Sequence, residues 1–405
     1  MKIFAIAALA VITSMTSCNN DDLNSGNSVD GKEKSVYIKM ENAPLLTTRS
    51  DSESALDKTA VLSTGVVIFV TGDEITRYVN LSTTGTATYA EPTTAEVPTI
   101  KISNMMNGEG VEFTNIKADK IYIIGNRTVN GLVGLLPVQG NDGKIASGFK
   151  MMTLLKSSNS FLDVTDPADM DGGNHSNVAL YGQGSLIQIL PNENNYKTTI
   201  QLVPIVARLE IKEIFASDVT FELSGIFINN YYTTAQVDGT IPTDGILKNN
   251  EDIITNYADA YHATALRDWS ITSLGTKTGN AASGVSIKPL DVWGYNIFAA
   301  KNVTAEDKNL PRIVLRLKEV KDATGEDITD GAGNVVDKFI TVKGFNDGTN
   351  PITEFKIGYV YTITKITFSK ADLTDNPEIT DRIINATVMV SVRPWIDGGQ
   401  INPEI

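Results

Sequence analysis

The sequence predicts an all-β protein, and three observations support this fold class. Apolar runs of strand length recur from residue 61 onward, Asn-Gly and Asp-Gly turns separate them, and no long amphipathic helix interrupts them. With 405 residues, 41% of them hydrophobic, the chain is long enough for two β-sandwich domains. Its best boundary loop lies at residues 190–195. We therefore expect an N-terminal domain over residues 50–198 and a C-terminal domain over residues 199–405.

Residues 1–17 form a predicted signal peptide. Lys2 precedes an apolar stretch over residues 3–11 and small or polar residues up to Ser17, which is too short for a transmembrane helix. Cys18, the only cysteine of the chain, follows in a context similar to a bacterial lipobox. We expect Cys18 to be lipidated; the alternative is an ordinary secreted protein with an incidental cysteine. The polar residues that follow, to about residue 34, predict a flexible tether.

A short strand and a single arginine come next in the chain. Val36, Ile38 and Met40 alternate with more polar residues, which is the pattern of a strand with one buried face. Arg49 stands in a small and polar segment of the kind that proteases cut, so cleavage between Arg49 and Ser50 is expected. Such a cut would release residues 18–49, including the short strand, as one propeptide. The alternative is an ordinary solvated arginine.

The rest of the chain alternates between predicted strands and turns. Residues 66–70 and 121–124 are continuous apolar runs, which suit strands covered on both faces. Residues 200–214 form an alternating segment interrupted at Pro204. Further strands are predicted at residues 221–228, 292–298, 313–317, 339–342 and 359–368, and short helices at residues 151–155 and 251–261.

The last predicted strand covers residues 385–395. Val388, Val390 and Val392 alternate with more polar residues, and Trp395 ends the segment. A terminal strand of this kind either closes the sheet of its own domain or fills a gap in another molecule. The three valines repeat the apolar spacing of the first strand, so either strand could fill the same cleft.

Composition and motifs exclude several classes of function. The net charge of −14 argues against nucleic acid as a partner and against binding of the folded surface to anionic membranes. His175 and His262 are the only histidines and lie far apart, so neither a zinc site nor Ser-His-Asp chemistry is predicted. Nucleophile elbows and glycine-rich phosphate loops are absent from the sequence. We predict no enzyme and no cofactor.

An acidic loop and an aromatic pair are the remaining candidate sites. The loop contains Asp163, Asp166, Asp169 and Asp171. Carboxylates suit Ca²⁺, but the spacing departs from the EF-hand pattern, so a solvated acidic loop is the favoured interpretation and no metal is assigned. Tyr231 and Tyr232 could stack on sugars or pack inside the sandwich.

Taken in order, several segments resemble the FimA/Mfa-like fimbrillin family, whose members are subunits of type V pili. The resemblance includes the leader up to Cys18, the strand before Arg49, and the last strand up to Trp395 with the glycines after it. It also includes the segments at residues 65–70, 121–125, 206–211 and 358–363. The order and spacing of these segments extend the resemblance over most of the chain.

The resemblance implies two transthyretin-like β-sandwich domains with Greek-key-type connections, exported as an outer-membrane lipoprotein. It implies an Arg-specific surface protease that cuts the Arg49–Ser50 bond and removes the leader together with the first strand. The groove left behind would accept the C-terminal strand of another fimbrial subunit, and the resulting cell-surface fimbrium would mediate adhesion. Shaft and tip roles both stay open, and an anchor role is disfavoured because anchors in the family keep their first strand.

The alternative function is a stand-alone surface lipoprotein that binds glycans. It would use Tyr231 and Tyr232 or another aromatic patch, and it would keep Cys18 and residues 35–49 in the mature protein.

Overall fold

The computed structural model describes residues 32–41, 62–126, 136–156, 162–163, 178–191, 194–211, 213–232, 234–243, 245, 247–248, 278–279, 285–286, 293–302, 309–345, 350–376 and 389–394. Strands account for most of the secondary structure in these residues. The first part of the chain forms β1 (Lys34–Glu41), β2 (Thr64–Thr71), β3 (Glu74–Ser82), β4 (Thr99–Lys101), β5 (Val111–Ile116), β6 (Lys120–Gly125), β7 (Leu162–Asp163), β8 (Leu180–Ser185), β9 (Ile187–Gln188), β10 (Asn195–Gln201) and β11 (Val203–Pro204).

The later part continues the same architecture. It forms β12 (Ala207–Ile211), β13 (Glu213–Ala216), β14 (Val219–Asn229), β15 (Tyr231–Tyr232), β16 (Thr234–Ala235), β17 (Leu247–Lys248), β18 (Thr278–Gly279), β19 (Val285–Ser286), β20 (Trp293–Ile297), β21 (Ala300–Lys301), β22 (Arg312–Asp322), β23 (Lys338–Val342), β24 (Glu354–Phe355), β25 (Tyr359–Phe368) and β26 (Met389–Pro394). The described helices are α1 (Ile102–Met106), α2 (Met151–Lys156) and a 3-10 turn over Lys370–Asp372. The all-β prediction is confirmed, and α2 is the short helix expected at residues 151–155.

Two sheets face each other in the first sandwich. Within the described residues, one sheet has the order β5-β1-β10-β9 and the other has the order β11-β8-β6-β2-β3-β4. Their inner faces share one hydrophobic core, in which the ring centroids of Phe69 on β2 and Phe113 on β5 lie 5.3 Å apart. Alternating side chains on each strand supply this core, as expected for sheets that pack face to face.

Strand β2 is covered on both faces, as predicted for residues 66–70. Val67 and Phe69 enter the core between the two sheets. Val66, Ile68 and Val70 enter a second hydrophobic cluster on the other side of the sheet, where helix α2 packs. Because neither face meets water, the strand carries an unbroken apolar run instead of an alternating one.

A second pair of sheets forms from the later strands. As far as the described residues show, one sheet has the order β19-β13-β25-β12-β20, with β26 also paired to β25, and the other has the order β18-β14-β22-β23. The rings of Phe221 on β14 and Phe368 on β25 join the two sheets, with centroids 5.2 Å apart.

The alternating segment at residues 200–214 is divided among several strands. β10 lies beside β1, β11 pairs with β8, and β12 and β13 both run parallel to β25. Pro204 ends β11, consistent with its missing N–H group. β10 runs across the predicted domain boundary at residue 198, and the division of the chain into two domains stays a prediction.

Candidate functional site

The first strand, β1, is an inner strand of its sheet. On one side it runs parallel to β10, with pairs from Ser35↔Asn195 to Glu41↔Gln201, and on the other side it runs antiparallel to β5. Both edges of its backbone are therefore engaged in ladders. Removing β1 would leave a gap one strand wide, with unpaired N–H and C=O groups on both walls. We call the space that β1 fills between β5 and β10 the β1 site.

The inward side chains of β1 are fully buried. Val36 and Ile38 have 0% of their surface exposed, and Met40 has 1%. Burying a side chain of this size contributes roughly 1.5–3 kcal/mol, so the three contribute about 5–9 kcal/mol before ordering costs are subtracted. β1 is thus an integral part of the sandwich core, and its removal stays a prediction.

Gly110 lets the start of β5 lie directly against the backbone of β1. A Cβ atom at Gly110 would lie 2.1 Å from the carbonyl oxygen of Ile38 and 2.9 Å from the Cα atom of Lys39. The φ of Gly110 is +86°, so both the conformation and the space favour glycine. The contact is with backbone atoms and would therefore recur with any strand that follows the path of β1.

A second close approach, between β8 and β10, holds β10 in place on the other side of the β1 site. Gly182 on β8 faces β10 across the sandwich, and a Cβ atom there would lie 2.6 Å from the carbonyl oxygen of Gln201 and 2.7 Å from Cγ2 of Ile200. The contact does not involve β1. We therefore expect β10 to keep its place when the β1 site is empty.

The outward face of β1 is held by one carboxylate. Glu112 on β5 accepts a hydrogen bond from the Ser35 hydroxyl. The Tyr37 hydroxyl also bonds to Glu112, and this hydrogen bond raises the pKa of Tyr37 above its ordinary value. Tyr37 and Glu112 stand directly opposite each other in the antiparallel ladder. Both faces of β1 are therefore engaged. The polar face forms hydrogen bonds with β5, and the apolar face packs in the core.

A buried lysine begins the strand. Lys34 is 4% exposed, and its Nζ atom donates a hydrogen bond of 3.2 Å to the carbonyl oxygen of Ala118. The same Nζ atom lies 4.8 Å from the centroid of the Tyr196 ring on β10, a favourable cation–π distance. Lys34 thus ties the N-terminal end of β1 to β10 and to the turn between β5 and β6.

The C-terminal strand has a place in its own sheet. β26 runs antiparallel to β25, with Val390 opposite Ile363 and Val392 opposite Tyr361. Among the described strands, β25 is the one to which β26 pairs. Within the described residues β26 therefore has one ladder, whereas β1 has two.

Several predicted residues lie outside the described part of the chain. They are Cys18, Arg49, Ser50, Asp166, Asp169, Asp171, His175, His262, Val388 and Trp395, together with the helix expected at residues 251–261. The backbone of Asp163 is described and pairs with Thr234. Lipidation, cleavage, strand donation and the role of the acidic loop stay predictions.

The aromatic pair considered for glycan binding is built into the fold. Tyr231 on β15 is 7% exposed and belongs to the hydrophobic core, and Tyr232 packs against the same core from its rim. Tyr231 therefore acts as a packing residue and offers no ring to solvent. In the residues that the structure describes, no cluster of three or more His, Cys, Asp or Glu side chains could hold a metal ion.

The described helices are also too short or too polar to cross a membrane.

The chain matches no protein-family model and no curated protein sequence. It is similar to the solved structure of a fimbrilin from Porphyromonas gingivalis, with 10% identity, a TM-score of 0.49, and coverage of 91% of this chain and 99% of that one. A candidate cell adhesion protein from Bacteroides eggerthii has 12% identity, a TM-score of 0.49, and coverage of 91% and 98%. The tip fimbrial protein of Porphyromonas gingivalis, truncated at its C-terminus, has 12% identity, a TM-score of 0.41, and coverage of 90% and 100%. Two of these three neighbours are fimbrial proteins.

Sequence reasoning missed the residues that shape the β1 site from outside. Gly110 and Gly182 carry no local signal beyond being glycines in or next to strands. Glu112 alternates with apolar residues of β5, which marks it as outward-facing but does not show that β1 lies beside it. Only the pairing of distant strands reveals these contacts.

Proposed function

We propose that this chain is the precursor of a structural subunit, shaft or tip, of a type V fimbrium that polymerises by donor-strand exchange at the β1 site. The observation that carries the proposal is the position of β1. It precedes the other strands that the structure describes, yet it is an inner strand with two ladders and a fully buried face. A strand near the N-terminus can leave after a single cut, and an inner strand leaves a gap that another strand can fill.

The proposed maturation begins with a precursor that is lipidated at Cys18 and anchored in the outer membrane. An Arg-specific surface protease then cuts the bond between Arg49 and Ser50, and the leader departs with β1. This exposes the ladder edges of β5 and β10 above an apolar cleft, and strand addition satisfies both at once. The resemblance to fimbrillins supports this order of events, and adhesion through a cell-surface fimbrium is the function it implies.

The C-terminal strand of a neighbouring subunit is the proposed donor. With Val388 in the place of Val36, the following two valines take the remaining buried positions at period two. A slip of one residue would bring Thr387, Met389 and Ser391 inward instead. The apolar core of the β1 site would reject that register.

The first experiment treats the purified precursor with an Arg-specific protease. We expect a mature N-terminus at Ser50 and SDS-resistant ladders on a gel. The Arg49→Ala precursor should stay uncut at this position and should form no ladder. If that variant assembles as well as the wild type, cleavage at Arg49 does not drive polymerisation and the mechanism is wrong.

A second experiment deletes the chain from Ala386 onward. Because β26 pairs with only one of the described strands, we expect the shortened subunit to fold, to be cleaved and to stop extending the polymer. Circular dichroism and urea unfolding report its folding. An unfolded product would mean that the last strand is ordinary core.

N-terminal sequencing of surface protein separates this function from glycan binding. A blocked, lipidated Cys18 on the mature protein would favour the stand-alone lipoprotein. The burial of Tyr231 speaks against a stacking platform at that position.

A further inference from the structure

A cationic cleft opens at the N-terminal end of β1. Its volume is about 300 Å³, at the lower end of the range for small-ligand pockets. The charged residues that line it are Glu74, Arg77, Lys117 and Lys144. Glu74 is already paired with Lys150, at 3.2 Å between the carboxylate and the ammonium group. Lys117 and Lys144 therefore dominate the charge of the cleft, and Arg77, which lies near the Glu91 carboxylate, adds to it.

Glu33, the residue directly before β1, places its carboxylate among these cations. Its Oε1 atom accepts a hydrogen bond of 3.0 Å from Nζ of Lys144. This hydrogen bond and the charge of Lys144 lower the pKa of Glu33, and the charges of Lys117 and Arg77 act in the same direction. The carboxylate is thus held in its ionised form by groups that do not belong to the leader.

The positive charge of the cleft does not depend on Glu33. Arg77 is 4% exposed and fixed in place, because it donates hydrogen bonds to the Tyr89 hydroxyl and, at 3.3 Å, to the carbonyl oxygen of Asp142. Its Nη1 atom also lies 3.8 Å from the Glu91 carboxylate. These partners belong to the body of the sandwich and remain when the leader leaves.

We propose that this cleft discriminates among strands in the β1 site by their charge and favours a strand with a carboxylate three residues before its first buried apolar side chain. In the precursor that carboxylate is Glu33, three residues before Val36. The inference rests on the proposed function, since the cleft can select among strands only if β1 is exchangeable. A new strand that runs in the direction of β1 brings its own equivalent residue to Lys144.

The proposal has a consequence for the identity of the donor. When Val388 takes the place of Val36, Asn385 takes the place of Glu33 and brings no charge to the cleft. The tail of this chain is therefore a poorer electrostatic match than its own leader. The preferred donor is a different subunit whose last strand carries Asp or Glu at that position.

The test measures peptide exchange into the full chain after cleavage at Arg49. Synthetic peptides of residues 32–41, wild type and Glu33→Gln, compete with a labelled wild-type peptide for the β1 site. We expect the Glu33→Gln peptide to bind about two- to fivefold more weakly, as for a partly exposed ion pair. A peptide of residues 384–395 should bind more tightly, by a similar factor, with the change Asn385→Glu.

Two controls assign the effect to the cleft. In the Lys144→Met protein, the wild-type and Glu33→Gln peptides should bind more nearly alike. The Glu41→Gln peptide alters a carboxylate at the far end of β1 that pairs with Lys39 of the same strand, so its affinity should not depend on Lys144. Raising the salt from about 0.1 M to about 1 M should shrink the Glu33 effect, because the screening length falls from about 10 Å to about 3 Å.

The possible results are distinct. Equal affinities for the wild-type and Glu33→Gln peptides would refute the inference that the cleft selects strands by charge. They would not contradict the proposed strand exchange. Discrimination that is unchanged in the Lys144→Met protein overturns the assignment to this cleft. Failure of every peptide to enter the β1 site overturns both the inference and the proposed function.

Discussion

Gly110→Ala should prevent a strand from fitting properly into the β1 site. The added Cβ atom would lie 2.1 Å from the carbonyl oxygen of Ile38, well inside the 3.0 Å that real Cβ contacts respect. The β1 backbone cannot retreat without loosening its ladders to β5 and β10. Overpacking of this kind costs about 1–3 kcal/mol, and alanine at a positive φ costs about 1–2 kcal/mol more. The full chain should therefore lose about 2–5 kcal/mol of unfolding free energy.

Gly108→Ala is the matched control. Gly108 has a φ of +55°, but no atom lies within 4 Å of the position that an added Cβ atom would take. This variant should show only the conformational cost of about 1–2 kcal/mol. Urea unfolding of both full-length variants measures the difference that the contact with β1 makes.

A second readout addresses strand exchange directly. After cleavage, the Gly108→Ala protein should take up the peptide of residues 32–41 as the wild type does, and the Gly110→Ala protein should take up little. Equal stability and equal uptake in the two variants would refute the role assigned to Gly110.

Three further predictions follow from described contacts. Ile38→Ala should lower the unfolding free energy of the full chain by about 2–5 kcal/mol. After cleavage and loss of the leader, the mature variant and the mature wild type should have the same stability. A remaining difference would mean that the leader stays bound. Gly182→Ala should cost about 1–3 kcal/mol in urea unfolding, whereas Gly331→Ala, with nothing within 4 Å, should change stability by less than about 0.5 kcal/mol; similar losses would contradict the close approach of β8 and β10. Hydrogen bonds from the side chain and backbone of Thr324 lower the pKa of Asp322 to about 2. This pKa is below the unfolded value of about 3.9. The ionised Asp322 carboxylate therefore stabilises the fold above about pH 3.9, and this stabilisation is lost as the pH falls towards 2. Asp322→Ala should therefore lower the melting temperature at neutral pH, and the two melting temperatures should converge in acid; a constant difference would refute the argument.

The buried face of β1 could be predicted from sequence because it depends on a local pattern. Val36, Ile38 and Met40 alternate with polar residues, and period two identifies a strand with one apolar face wherever it occurs. The neighbours of β1 could not be predicted in this way. β10 lies far along the chain and pairs with β1 in parallel, and no local period specifies such a partner.

Alternation also shows which residues share a face without showing what covers that face. On β12, Arg208 stands on the face opposite Leu209, yet it is only 2% exposed. Its guanidinium group donates a hydrogen bond of 3.3 Å to Oδ1 of Asn296, the residue opposite it on β20. A buried arginine of this kind depends on polar partners that the fold supplies, and they come from a distant strand.

The leader strand and the proposed donor strand differ in the number of neighbouring strands to which they are hydrogen-bonded. Among the described strands β26 pairs with β25 alone, whereas a strand in the β1 site has ladders on both sides. A donor strand that moves from the edge of β25 into an empty β1 site therefore gains a hydrogen-bonded neighbour. While the leader is attached, it competes at an effective concentration on the order of millimolar, because it belongs to the same chain. A cut at Arg49 would remove that advantage without changing any contact of β1. On the proposed mechanism, one broken peptide bond would thus make a fully buried strand replaceable.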